Sequence, residues 1–557
     1  MDFSDPYLGE QLIAYIGNKR ALLPFLHGVL ARLPLDPGSS RFLDPFAGSG
    51  AVSRLARAMG FRVAANDWEP YSFVINSCHL VQRPSDLIAM YGLRGGIQAV
   101  MDELNALPPP PGEREYISRH YAPRDTEQAD WRTERLFYTR ENARAIDAIR
   151  QRMEEMYPGA VSPGTLCPEK AALLAPLLYE AATHTNTSGV FKAYHKGFGG
   201  HGKDALRRIM GPVCLRPPVL LEAPRAAEVA CMDAASFLAS RGAEVCYLDP
   251  PYSIHQYGSN YFMLNTIALW DRPPVSAERA PDGRLRRKAG IRPDWTSTRS
   301  AFCYRGSAAA AMREVVRAAD CRWLVVSYSD EGLIGLEEMC DLLAETGDLT
   351  LEARGYAKYP GGRQSLRRTT RNVELALVVR RGPGTPVSGG VRQAIGDVRM
   401  ARLMSLSYDP LRIRGTFPVH GDSIRAGDEP AVLLPMERLW RFRPPEALPR
   451  FRTAESAERF EAALAGCAVR DAREEIEVLV SMAAGIGAPR ERERLFREMT
   501  RLLNRLAHRK YRTEFTEALA LLRAAAPRLG APGAFLAGLD RIALRAQRRL
   551  EASPGAR

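Results

Sequence analysis

Residues 245–252, Val-Cys-Tyr-Leu-Asp-Pro-Pro-Tyr, set an acid, two prolines and a ring at the end of an apolar run. Asp249 offers a carboxylate, Pro250 a carbonyl and Tyr252 a flat face, on a loop that Pro251 helps to stiffen. The exocyclic amine of a nucleobase has two N–H donors and a lone pair delocalised into its ring. A carboxylate and a carbonyl that each accept one N–H draw that nitrogen toward tetrahedral geometry and free the lone pair for attack. An aromatic face can hold the base by stacking. The plainer alternative is a Pro-rich turn after a core strand, because a four-residue match is a weak motif by itself.

The elements that must position these groups follow from the flanking residues. Val245, Tyr247 and Leu248 suit a buried strand, and prolines cannot donate to a sheet ladder, so the strand stops at Asp249. The carboxyl end of a strand is where open α/β sheets bind ligands. Residues 41–59 repeat the arrangement: a strand, then Asp44, Pro45 and Phe46, then a turn with Gly48 and Gly50, then a helix with Val52, Leu55, Ala56 and Met59 on one face. Glycines there let the backbone approach a ligand closely. No Gly-Lys-Ser/Thr follows, so a nucleoside without a gripped phosphate fits better than a nucleotide. Residues 61–65 read as a second strand ending in Asn66-Asp67, and an acid at that place grips a ribose through its hydroxyls. The alternative, compatible with the first, is that Asp67 caps the next helix. Tyr15, Gly17 and Lys19 stand in a turn that opens a helix near Arg20; they suit a ligand with a ring and a carboxylate, or simply a helix start with a surface lysine. Asp233 falls at another strand end and is a candidate for the same rim.

The chain has 557 residues, too many for one core, and predicts roughly two to four domains. A net charge of +13, carried mostly by arginine, favours a polyanionic partner such as nucleic acid. No apolar run approaches the length of a membrane span, and the acidic start lacks a secretory pattern. Nine scattered cysteines without a C-x-x-C pair predict free thiols in a reducing cytoplasm, with no zinc cluster and no metal. Residues 183–203 mix glycines and rings with Lys192, Lys196 and Lys203; Tyr194 lies among them, and the mixture suits phosphate contact and base stacking. Helices are expected over 137–157 and 171–182. Residues 349–359 and 371–381 alternate as antiparallel strands, joined by a loop with Arg363, Arg367 and Arg368 that could follow a phosphate backbone or be solvated. A linker follows Gly382, residues 390–450 read as irregular, and three amphipathic helical segments are expected from 456 to 550.

Tyr-Ile-Gly-Asn-Lys (15–19), Asp-Pro-Phe-Ala-Gly-Ser-Gly (44–50), Asn-Asp (66–67) and Asp-Pro-Pro-Tyr (249–252) occur in the order that marks the DNA adenine methylase family, which the chain resembles over about residues 7–382. The resemblance implies site-specific methyl transfer from S-adenosylmethionine to the amine of a flipped adenine in double-stranded DNA. It also implies a Rossmann-like sheet with an antiparallel hairpin at one edge. Cofactor-binding residues 1–80, a target-recognition insertion at 81–230, a catalytic part at 231–382 and a mainly helical accessory domain at 390–557 would follow. By similarity Tyr15 and Lys19 contact the cofactor, Asp67 its ribose, the 44–50 turn its methionine end, and Asp249–Tyr252 the base. Tyr15 stands where the family often has tryptophan. The chain would act either beside a cognate restriction endonuclease or as an orphan methylase, and a helical accessory or dimerisation module is the default for the tail. An RNA adenine methyltransferase, or a non-catalytic DNA-binding protein on the same fold, are the rival readings.

Overall fold

The structure, a computed structural model, describes residues 1–550 apart from 201, 202, 204, 224, 358–370, 427–431, 438, 439, 444–448, 450, 452, 509 and 510. Two compact units divide the chain, Met1–Arg354 with Glu374–Val391, and Gly355–Val373 with Arg392–Arg557.

The first unit is built on β1 (Arg41–Asp44), β2 (Arg62–Asn66), β3 (Glu228–Ala230), β4 (Gly242–Leu248), β5 (Asp320–Ser329), β6 (Gly347–Ala357) and β7 (Arg371–Arg381). They form one sheet in the order β3-β2-β1-β4-β5-β7-β6. The pairs from β3 to β5 are parallel, and β7 runs antiparallel to β5. The strands are short apolar runs because helices cover both faces; Phe42, Leu43, Val245 and Leu248 are wholly buried. This is the expected Rossmann-like sheet. Its strand order reverses direction between β1 and β4, and the crevice at such a switch point is where open α/β sheets take ligands.

Between β2 and β3 the chain leaves the sheet and becomes helical. The predicted helices appear as Arg140–Met156 and Pro168–Thr183. Thr139 caps the first by accepting the Asn142 N–H at 3.1 Å, and the foreseen face of Ala143, Ile146, Ile149 and Met153 is buried. That face joins Leu173, Leu177, Tyr261 and Phe262 in one core, which ties the helical insertion to the segment after β4.

In the second unit two sequence-based expectations are corrected. Residues 390–450 are not irregular: the helix Pro410–Thr416 is followed by an antiparallel sheet of β8 (Val419–His420), β9 (Ser423–Ala426), β10 (Val432–Glu437) and β11 (Arg441–Phe442). Strands this short cannot display alternation, and Pro435 inside β10 argues against a strand on sequence grounds. Among the described residues the helical tail shows five helices instead of three: Ala454–Cys467, Ala472–Gly485, Pro489–Leu506, Arg512–Ala525 and Gly533–Leu550. Their breaks span only a few residues, so a continuous amphipathic pattern hides them. None of the described helices is long and apolar enough to cross a membrane.

Candidate active site

Three parallel strands end at one edge of the first unit's sheet, and each meets an acid there. Asp44 closes β1, Asp67 follows β2 and Asp249 follows β4. A cavity of about 220 Å³ opens at this edge. Tyr15, Gly17 and Lys19 line it from the N-terminal turn, and Asp44, Pro45, Phe46 and Gly48 from the loop after β1. Asp67, Asp233 and the run Asp249, Pro250, Pro251 and Tyr252 complete the set. Gly50 stands behind the wall, at the start of the helix Ala51–Ala58. Asp233 also accepts the Ser236 N–H at 3.0 Å and so caps the helix Ala234–Ala239.

The glycine turn is shaped by close approach. Gly48 has φ +51, and a Cβ on it would lie 2.8 Å from Tyr15 Cε1. Its N–H donates to Asp67 Oδ2 at 2.8 Å, while its carbonyl accepts from Ser72 Oγ at 2.6 Å. Gly50 has φ +79, and a Cβ there would meet Asn76 Oδ1 at 2.3 Å. Asp67 also accepts the Glu69 N–H at 2.9 Å. It therefore steers the chain toward the helix Pro70–Asn76. Asn66 pins the ends of the neighbouring loops by donating to the Pro45 and Met232 carbonyls at 3.2 and 3.0 Å.

The electrostatics are those of a buried acid cluster around a buried lysine. Burial pushes the Asp44 carboxyl up to about 7, against the 2.6 Å hydrogen bond from Ser53; the charges of Asp249 and Asp67 add to the rise. Burial likewise pushes Glu69 up to about 7, although Asn265 donates to it at 2.6 Å. Lys19 is 3% exposed, and its ammonium lies 3.0 Å from Asp249 Oδ1 and 3.8 Å from Glu374 Oε2. Burial works against its charge, but Asp249, Tyr252 and Glu374 more than offset this and hold its pKa well above the ordinary value. Asp249 is raised by burial and pulled back by Lys19. The same ammonium lies 5.0 Å from the Tyr252 ring centroid, and that ring sits edge-on to Tyr328 at 5.9 Å.

Several residues of the site have no counterpart in the sequence motifs. Tyr15 stacks on Tyr261 at 4.9 Å and meets Tyr257 at 5.0 Å. The two tyrosines also fix the 15–19 turn: the Ile16 N–H donates to Tyr261 Oη at 2.7 Å, and Tyr257 Oη donates to the Ile16 carbonyl at 2.9 Å. Their four-residue spacing on consecutive helical turns was the available signal. Glu374 is an acid in the otherwise apolar run of β7, and a charge buried in a strand is itself a pointer to a partner. Phe302, edge-on to Phe46 at 5.4 Å, comes from a segment with no distinguishing pattern.

Of the candidate DNA contacts, Lys192, Lys196 and Lys203 are exposed. Tyr194 is half-buried, its ring edge-on to Phe137 at 5.1 Å and its hydroxyl donating to the Glu134 carbonyl at 3.0 Å. Arg363, Arg367 and Arg368 lie outside the described residues.

Comparison with known proteins agrees with this geometry. Residues 15–280 match the model of the D12 class N6 adenine-specific DNA methyltransferases. The chain is 29% identical over 347 residues to the type II methyltransferase M.NlaIII of Neisseria lactamica, covering 62% of this chain and 92% of that protein. It is 28% identical over 356 residues to the type II methyltransferase M.CviAII of Paramecium bursaria Chlorella virus 1, covering 62% and 92%. The modification methylase LlaI of Lactococcus lactis subsp. lactis is 25% identical over 371 residues, covering 65% of this chain and 54% of that protein. No solved structure matches the chain significantly. The order of its motifs, its sheet and these relatives agree on one likeness: over residues 15–280 the chain is similar to the D12 class of N6 adenine-specific DNA methyltransferases.

Proposed function

We propose that this methyltransferase takes its methyl group from S-adenosylmethionine and places it on the exocyclic amine of an adenine rotated out of duplex DNA, with Asp249, Pro250 and Tyr252 as the groups that touch the base. The observation that carries the reading is the single cavity lined by both the Gly48 turn and the Asp249–Tyr252 loop. A donor and an acceptor can meet only where both have a wall.

The residues present fit the proposed donor. Asp67 lines the cavity just past a strand end, where a carboxylate can meet ribose hydroxyls. The Gly48 turn brings backbone to the cavity wall with no side chain in the way, and the ring of Tyr15 and the acids at the strand ends favour a cation. When bound, S-adenosylmethionine supplies an electrophilic methyl on a sulfonium. The chain does the rest. Asp249 and the Pro250 carbonyl accept the two amine protons' hydrogen bonds and raise the nitrogen's nucleophilicity. Tyr252, braced by Tyr328, stacks on the base. Lys19 keeps Asp249 ionised so that it can accept. The gain is mainly positioning, with dipoles aimed at the charge that develops on the amine. Rotation of the base is required because the amine is out of reach inside the duplex.

Residues 81–230 serve target recognition in this reading, since they form the helical insertion between the two halves of the sheet. The type II and modification-methylase names of the relatives support a place in a restriction–modification pair, with an endonuclease that recognises the same site. The test is Asp249→Ala. Transfer of labelled methyl from S-adenosylmethionine to duplex DNA should vanish while calorimetry still finds cofactor binding; a fully active variant removes Asp249 from the mechanism.

A further inference from the structure

Three loops distant in sequence converge on Trp131. The Lys196 ammonium lies 4.4 Å from its ring centroid, the Lys288 ammonium 5.4 Å and the Arg132 guanidinium 5.2 Å. Cations near this cluster are mostly matched by acids: Arg132 faces Asp130 at 3.5 Å, Arg284 faces Asp282 at 3.3 Å and Arg286 faces Glu278 at 3.0 Å. Lys196 and Lys288 have no ion pair among the described residues, and both are exposed.

The convergence is built, not accidental. Arg135 is buried, and its guanidinium holds the Lys288 loop from below. Nε donates to the Lys288 carbonyl at 3.0 Å; Nη2 donates to the carbonyls of Arg287 at 3.0 Å and Ser276 at 2.6 Å; Nη1 donates to the His120 carbonyl at 3.2 Å. The Leu285 N–H donates to the Arg132 carbonyl at 3.1 Å, which joins that loop to the Trp131 segment. Tyr194 reaches the same segment through the Glu134 carbonyl. A surface under no constraint would let like charges move apart; here the backbone and the ring quadrupole hold them together.

Position relative to the cavity narrows the partner. The Phe191 N–H donates to the Asn260 carbonyl at 2.7 Å, on the helix Tyr257–Asn260 whose Tyr257 lines the cavity. Lys192 and Lys196 follow on the same loop, and the five residue steps from Phe191 to Lys196 span at most about 18 Å, or about five base steps of one DNA strand. The match to the family model ends at residue 280, before Lys288.

Resting on the adenine-methylation reading above, we propose that Trp131, Lys196 and Lys288 form a clamp on the phosphates of the DNA strand a few nucleotides from the methylated adenine. The lysines neutralise phosphate charge, the ring positions the lysines, and Arg135 positions the loop that carries Lys288. The clamp supplies affinity without sequence information.

The experiment is anisotropy of a fluorescent duplex as a function of salt. For the full chain carrying Lys196→Ala and Lys288→Ala, the slope of log affinity against log salt should fall in magnitude by about 1.8, since each phosphate contact contributes about 0.9. The loss should be the same for duplexes with and without the methylated site, and calorimetric binding of S-adenosylmethionine should be unchanged. Trp131→Ala should lose part of the slope, and Trp131→Phe should recover most of that loss. An unchanged slope in the double variant overturns the clamp, as does a loss confined to the methylated site with the slope retained, which would make these lysines base readers. A wild-type chain that methylates no duplex at all instead overturns the functional reading, and labelled-methyl incorporation shows this without any variant.

Discussion

Replacing Lys19 by methionine keeps most of the side-chain volume and removes the ammonium that faces Asp249 at 3.0 Å. At an effective dielectric of about 20, unit charges at that separation attract by about 5.5 kcal/mol. Asp249 is 18% exposed to the cavity, so water recovers part of this and about 3 kcal/mol remains, in line with the cost of breaking a partly buried pair. That energy now favours the protonated acid. Burial already holds the Asp249 carboxyl above its ordinary range, and Lys19 is the group that opposes the rise. A carboxylate is ionised above its pKa, so losing Lys19 enlarges the neutral fraction at neutral pH, and a neutral Asp249 is a poorer acceptor for the adenine amine. At about 1.4 kcal/mol per decade, this moves the ionisation that gates kcat/KM upward by about two pH units, so the variant's deficit should be largest at low pH, approaching about a hundredfold, and should close as pH rises. Initial rates of labelled-methyl incorporation over a range of about pH 6 to 9 read this directly, with calorimetry of S-adenosylmethionine at both ends. A deficit constant across pH and accompanied by a raised KM for S-adenosylmethionine refutes the reasoning, because Lys19 would then act on the cofactor and not through Asp249.

Two further substitutions probe the other walls. Gly48→Ala places a Cβ 2.8 Å from Tyr15 Cε1 at φ +51, so the backbone strain of about 1–2 kcal/mol is joined by displacement of the ring; S-adenosylmethionine affinity should fall about tenfold with a lowered Tm, and unchanged affinity would separate Tyr15 from the donor site. Asp44 has a pKa raised from 3.8 to about 7 in the folded chain, so its contribution to stability is fully present below 3.8 and is lost as pH rises through 7, by up to about 4 kcal/mol. Asp44→Asn cannot ionise, and without S-adenosylmethionine its melting temperature should exceed that of wild type by clearly more at about pH 8 than at about pH 5; equal shifts at both would show that the Asp44 charge is not the cause.

The motifs were legible because each is a local necessity. Pro250 and Pro251 end a strand, the glycines at 48 and 50 occupy positive φ, and Asp67 lies one residue past a strand end. These features place the acids at the carboxyl edge once the strands are parallel, and the apolar character of β1, β2 and β4 implies that. The tyrosines at 257 and 261 and the acid at 374 were not legible as site residues, since their roles depend on contacts across more than 200 residues of chain in the pairs Tyr261–Ile16 and Lys19–Glu374. In the second unit the failure was one of scale. β8 and β11 have two residues each, too few to show a period. The helix boundaries did carry signals: Asp471 accepts the Glu474 N–H at 2.9 Å, Pro489 opens the next helix, and Gly530 has φ +57. An unbroken amphipathic pattern outweighed them.

Charge also explains how one edge of one sheet can serve two very different substrates. The cavity wall carries Asp44, Asp67, Glu69, Asp233, Asp249 and Glu314 against Lys19 and Arg299, so it attracts a cation and repels phosphate. Outside it, Lys192, Lys196 and Lys288 are exposed and do the reverse. On the proposed reading, this field draws a sulfonium donor inward and leaves the DNA backbone at the rim. A neutral base is the one part of the DNA that neither field opposes. On that reading, rotation of the adenine into the cavity lets both substrates keep their preferred electrostatic surroundings, and the buried Lys19 opposes the rise that burial imposes on Asp249.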